Sequence, residues 1–155
     1  MKLFALAFLV FALAPVLGAD PPGFLQLNKA SLQALEKNLA TKLDANRSAT
    51  QRVGEFGNHL IMVAYRESDG EAEIHDSQND IFVVQSGEAT LVVGGTVQDG
   101  RNTAPGETRG RAISGGEKKR LGPGDVVHIP AKTPHQTLVP QGKHVTYLVI
   151  KVDAK

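Results

Sequence analysis

The sequence predicts an all-β fold, a barrel of short strands with one α-helix ahead of it. Three observations carry that expectation. From Asn58 onward the chain breaks into short runs rich in Val, Ile, Thr, Phe and Tyr, punctuated by Gly, Pro, Asn and Asp, which is the texture of a sandwich or barrel. Helical spacing of leucines occurs once, at Leu32, Leu35, Leu39 and Leu43, before those runs begin. The chain of 155 residues is of one-domain size and contains no cysteine, so apolar burial has to stabilise it without disulfides.

The first element is Met1-Lys2, the apolar run Leu3 to Ala14, and the small-residue end Gly18-Ala19, which together read as a secretory signal. Residues 1–18 are expected to be removed, with cleavage after Gly18 or Ala19. The apolar stretch approaches the roughly 17 residues that a spanning helix needs, but Pro15 and the small residues behind it favour cleavage. No stable membrane anchor is then expected, and the mature chain should be secreted or periplasmic. A lipoprotein anchor is excluded by the absence of cysteine. Without Lys2, the 17 basic residues fall to 16 against 16 acidic ones. That balance gives no nucleic-acid footprint, which requires a basic excess.

Residues 19–52 read as a linker and an amphipathic helix. Pro21-Pro22-Gly23 separates the signal from a helix over about residues 29 to 43, with Asn28 as its N-cap and the leucine face packed on its own domain. Residues 53–155 form the predicted barrel, with strands near 58–66, 72–76, 80–85, 88–93, 117–121, 125–129, 135–139 and 144–152. Between about Gly94 and Gly116 lie Asp99-Gly100, Ala104-Pro105-Gly106 and Gly115-Gly116, and so many breakers predict a long loop. Arg101, Arg109 and Arg111 lie in it and Lys118, Lys119 and Arg120 follow it. The segment is therefore either a solvated charged loop or a lid that attracts anionic ligands.

Two segments carry the candidate chemistry. The first runs from Gly70 to Gly87 and contains Glu73, His75 and Asp80; the second runs from Gly124 through Pro130 to His135. On a strand, Glu73 and His75 point to one face with Cα atoms roughly 6.5 Å apart, close enough to clasp one ion. An inward carboxylate needs a partner, because burying it unpaired is far too costly. His135 follows Pro134 at a strand start, where a barrel mouth would present it to the same interior. His59, His128 and His144 are read as structural.

These two segments resemble the paired motifs of the cupin family. The first motif there reads His-x-His, a few residues, Glu, then Gly; here Glu73 takes the first histidine position, His75 the second, Asp80 the glutamate position, and Gly87 keeps its spacing. In the second, Lys132 replaces a customary glycine and Val139 a customary asparagine. The resemblance implies a double-stranded β-helix, jelly-roll-like, with a pocket at one end. It also implies a divalent metal such as iron, manganese or zinc, held by Glu73, His75, His135 and Asp80. Aspartate is shorter than glutamate by one C–C bond of about 1.5 Å, so Asp80 either reaches the ion or orients a ligand histidine.

The function expected is a secreted protein that binds or transforms a small molecule at a metal pocket, the reaction being open. The alternatives are a metal-free binding module for sugars or other small polar ligands, and a structural or storage protein whose pocket is filled by apolar side chains. The resemblance also admits a homodimer. No thiol nucleophile, Gly-x-Ser-x-Gly elbow or P-loop is present. Intact-mass measurement of the protein from its native host should show loss of about 18 or 19 residues; the full-length chain in the cytosol would contradict export.

Overall fold

The computed structural model describes residues 20–154, so the predicted signal lies outside the described residues. Helix α1 (Lys29–Ala40) is followed by thirteen strands: β1 (Ser48–Phe56), β2 (His59–Arg66), β3 (Ala72–His75), β4 (Gln78–Gly87), β5 (Ala89–Val93), β6 (Thr96–Gln98), β7 (Arg101–Ala104), β8 (Glu107–Gly110), β9 (Ala112–Ser114), β10 (Glu117–Leu121), β11 (Val126–Ile129), β12 (His135–Leu138) and β13 (Val145–Asp153). They form a five-stranded sheet ordered β1-β2-β13-β4-β11, a six-stranded sheet ordered β10-β5-β12-β3-β8-β7, and a small β6-β9 pair. Every pairing is antiparallel.

Alternation along the strands divides the apolar residues between two cores. Inward residues of the two large sheets, among them Phe82, Val84, Leu91, Ile129, Tyr147 and Val149, make the main core. On the other face of the five-stranded sheet, Val63 and Tyr65 pack with Leu39 of α1. Asn28 caps this helix as expected, its side chain accepting from Ser31 N at 2.9 Å. Leu39 is fully buried, whereas Leu32 and Leu35 are partly buried against the same cluster, because the helix lies along one edge of that face.

All eight expected strands are present, but two regions differ from the sequence reading. Strand β1 was not expected; its polar sequence is only half-buried at a sheet edge, so it lacks the alternation that marks a strand. Residues 94–116 are not a loop but four short strands. The breakers are their turns: Asp99 and Gly106 take positive φ values of 55° and 72°, while β7 pairs with β8, β6 with β9, and β8 with β3. Held as sheet, this segment brings Arg109 into the barrel wall.

Two residues of the paired motifs test the backbone. Gly87 has φ +73°, and a Cβ there would lie 2.0 Å from the His144 carbonyl oxygen. Lys132, where the family pattern has glycine, adopts φ 65°, a left-handed conformation that costs an L-residue about 1–2 kcal/mol. Gly87→Ala should destabilise the protein by about 3 kcal/mol, and Lys132→Gly should stabilise it by up to about 1 kcal/mol. Denaturant midpoints measure both, and equal midpoints for the two variants would contradict these assignments.

Candidate functional site

The site forms where the two large sheets face each other, and strand register assembles it. In the six-stranded sheet Glu73 of β3 lies opposite Arg109 of β8 and His135 of β12, with His75 two residues further along. In the five-stranded sheet Asp80 of β4 lies opposite Lys151 of β13. All four residues expected at the site, Glu73, His75, Asp80 and His135, come together. The structure adds two cations that the sequence reading did not place there, Lys151 and Arg109.

Each carboxylate is held by a cation from a neighbouring strand. Lys151 Nζ donates to both Asp80 oxygens, at 2.8 and 2.9 Å, and lies 2.8 Å from His75 Nε2. Arg109 Nη2 lies 3.1 Å from Glu73 Oε2, and the same guanidinium binds Glu107. The imidazoles stand between these pairs: His75 Nε2 is 3.5 Å from Glu73 Oε2 and 3.4 Å from Asp80 Oδ2, and His135 Nε2 is 3.6 Å from Asp80 Oδ2. His75, Asp80 and His135 are buried, with 5%, 3% and 1% exposure. Phe82 presents its ring edge to His135 and packs on Tyr147.

Burial alone would raise the Glu73 carboxyl, but hydrogen bonding to His75 and the charge of Arg109 outweigh it and hold it down at about 2. Burial works the same way on Asp80, and its contacts with His135, His75 and Lys151 hold it far below the carboxylate range. Burial lowers His75, while the Asp80 and Glu73 carboxylates outweigh that and raise it to about 9. The 2.8 Å contact between His75 Nε2 and Lys151 Nζ is a hydrogen bond when either nitrogen offers a lone pair.

The donor atoms fit a divalent ion in two respects. One atom each from Glu73, His75 and His135 lie within 4.8 Å of one another, and the 3.5 Å between His75 Nε2 and Glu73 Oε2 matches the roughly 3.4 Å edge of a tetrahedron with bonds of about 2.1 Å. His135 Nε2 is buried without a hydrogen-bond partner, while its Nδ1 lies 3.1 Å from the Thr133 carbonyl. Donation from Nδ1–H to that carbonyl leaves the Nε2 lone pair directed at the cluster, the tautomer a metal ligand needs. Lys151 is the competing cation, since it holds Asp80 and touches His75.

Beside the cluster opens a cavity of about 310 Å³ lined by side chains of alternate residues: Met62, Ala64 and Arg66 on β2, Tyr147, Val149 and Lys151 on β13. The same alternation could have flagged Lys151, the one charged inward residue between Tyr147 and Val152, and Arg66, which ends an apolar inward row. His128 is exposed, and His59 and His144 are half-buried away from the cluster.

The depressed carboxyls set an acid limit on stability. A group whose folded pKa is lowered contributes stability above its ordinary value, here 4.5 for Glu73 and 3.8 for Asp80, that is lost as pH falls through the folded value. The thermal midpoint should therefore fall steadily from about pH 5 to pH 2. Asp80→Asn combined with Lys151→Met should flatten part of that slope. An unchanged slope in the double variant would show that this pair does not set it.

No family model matches the sequence, and no curated protein matches it. Solved structures do match. KdgF from Halomonas sp. aligns with TM-score 0.53 at 16% identity, over 72% of this chain and 86% of that one. An uncharacterised conserved protein from Klebsiella pneumoniae with a double-stranded β-helix domain aligns with TM-score 0.52 at 14% identity, over 72% and 82%. A putative mannose-6-phosphate isomerase from Ralstonia eutropha aligns with TM-score 0.51 at 20% identity, over 72% and 90%. Identities this low speak to architecture, and with the two motifs and the paired antiparallel sheets they establish that the chain has the cupin-type fold, a double-stranded β-helix.

Proposed function

We propose that this chain, once exported, binds or transforms a small polar molecule in the barrel cavity, beside a divalent ion held by Glu73, His75 and His135. The buried Nε2 of His135 carries the reading: Asp80 Oδ2, at 3.6 Å, lies beyond hydrogen-bond reach, leaving such an atom unsatisfied costs about 1–3 kcal/mol, and a bound ion removes that cost. When bound, such an ion polarises an oxygen of the ligand or activates a water. The protein's own part is to hold the imidazole of His135 in one tautomer, to keep the Glu73 carboxylate ionised, and to seat the ligand among charged side chains. A storage role is disfavoured because the cavity is lined by Arg52, Arg66, Glu73, Asp80, Glu107, Arg109 and Lys151 rather than filled by apolar groups.

Lys151 favours a second reading, in which its ammonium takes the place of the ion and the pocket binds its ligand without metal. The two readings separate by elemental analysis of untagged protein. Under the first, the wild type holds a stoichiometric ion, His75→Ala and His135→Ala lose it, and His59→Ala and His144→Ala keep it. Lys151→Met should then tighten metal binding at least about tenfold, since like charges some 4 Å apart repel by more than the 1.4 kcal/mol that a factor of ten requires. Absence of metal from both the wild type and Lys151→Met, under loading near neutral pH, leaves the metal-free reading.

A further inference from the structure

Among the described residues, Arg47, Arg52, Arg101, Arg109, Arg111 and Arg120 each have a carboxylate partner. Arg66 alone has none, although it is less exposed than most of them. Its Nε donates to the Tyr147 hydroxyl at 3.0 Å, which fixes the plane of the guanidinium and leaves the Nη fork with no protein acceptor. Gly70 keeps the space before the fork open: a Cβ there would stand 3.2 Å from Arg66 Nη1. Arg66 also lies in the wall between two spaces, since it lines both the 310 Å³ barrel cavity and a more open cleft of about 800 Å³, and Arg109 is the one other residue they share.

Glu73 and Asp44 act on this guanidinium only from beyond salt-bridge distance, so its Nη fork is left without a direct acceptor. Its free fork matches the geometry of one oxyanion group held by two parallel hydrogen bonds. We propose that Arg66 anchors an oxyanion group, carboxylate or phosphate, of a small molecule that reaches into the barrel cavity from the cleft, with that group on the Gly70 side of the fork. This rests on the reading of that cavity as a small-molecule site, and it is independent of whether an ion is bound. Arg109 does not serve as the anchor, because Glu73 and Glu107 already neutralise it. The ligand's remaining atoms would extend past Tyr147 toward Lys151 and the histidines.

The test is titration of chelator-treated protein, followed by amide NMR shifts and calorimetry, with succinate and pyruvate as carboxylate probes, inorganic phosphate and glycerol 3-phosphate as phosphate probes, and glycerol as the neutral control. At least one anion should bind and shift residues around the cavity, including Ala64, Glu73 and Tyr147, while glycerol does not. Binding by one class alone identifies which oxyanion the ligand carries. Arg66→Met should raise Kd at least about tenfold, because it removes the charge and the fork together. Arg66→Lys should raise it about threefold or more, because an ammonium offers no planar fork, and it decides the matter should Arg66→Met fail to fold. Arg120→Gln, at a residue that pairs with Glu88 away from both spaces, should leave Kd unchanged. Failure of every anion to bind at millimolar concentration, shifts confined to residues outside the cavity, or full affinity in Arg66→Lys would overturn the proposal. Metal content is read separately, so a chain without metal that still binds anions through Arg66 refutes the ion and retains the anchor.

Discussion

The site depends on a pairing that strand register imposes: the carboxylates of Glu73 and Asp80 each face a cation on the adjacent strand of their own sheet. Glu73 lies opposite Arg109 and Asp80 opposite Lys151. Two carboxylates enclosed between sheets would otherwise repel each other and lose their hydration, and would take up protons instead of remaining ionised. With the cations in place they remain charged, and the histidines can stand between them. This allows one end of the barrel to be polar while Leu91, Ile129, Val84 and their neighbours close the other end as an apolar core.

Much of this was legible in the sequence, and the rest was hidden for identifiable reasons. Glu73, His75, Asp80 and His135 could be found because motif spacing survives in one dimension. Lys151 and Arg109 could not be assigned by spacing, because Lys151 meets Asp80 across 71 positions and register between distant strands is a property of the folded sheet. The inward alternation of Tyr147, Val149 and Lys151 did contain the signal, but a search among histidines and carboxylates passes over a lysine. Residues 94–116 misled for another reason. Turn residues recur there so densely that the three- and four-residue strands between them leave no period to detect.

The departures from the family pattern are better understood together than singly. Aspartate at position 80 withdraws its carboxylate by about one C–C bond, or 1.5 Å. The ammonium of Lys151 occupies the space beside it, within 2.9 Å of both oxygens. A glutamate would project further into the cluster and crowd the ammonium, so the short acid and the inward lysine form a matched pair. Glu73, which stands where the pattern has histidine, is matched in the same way by Arg109. Two changes that each look like the loss of a ligand are thus the two halves of a rearranged charge balance.

That balance limits what the site can accept. Glu73, Asp80 and Glu107 face Arg109 and Lys151 around the histidines, so a divalent ion meets fixed cations as well as carboxylates and must rely on direct bonds. His135 is the residue best placed to make one, because its lone pair is already oriented and unsatisfied. Lys151 is partly exposed at the cavity and carries a flexible four-carbon stem, so its ammonium can swing toward solvent or toward an anion held nearby. A ligand whose negative group lies at Arg66 would draw Lys151 in the same direction, away from His75.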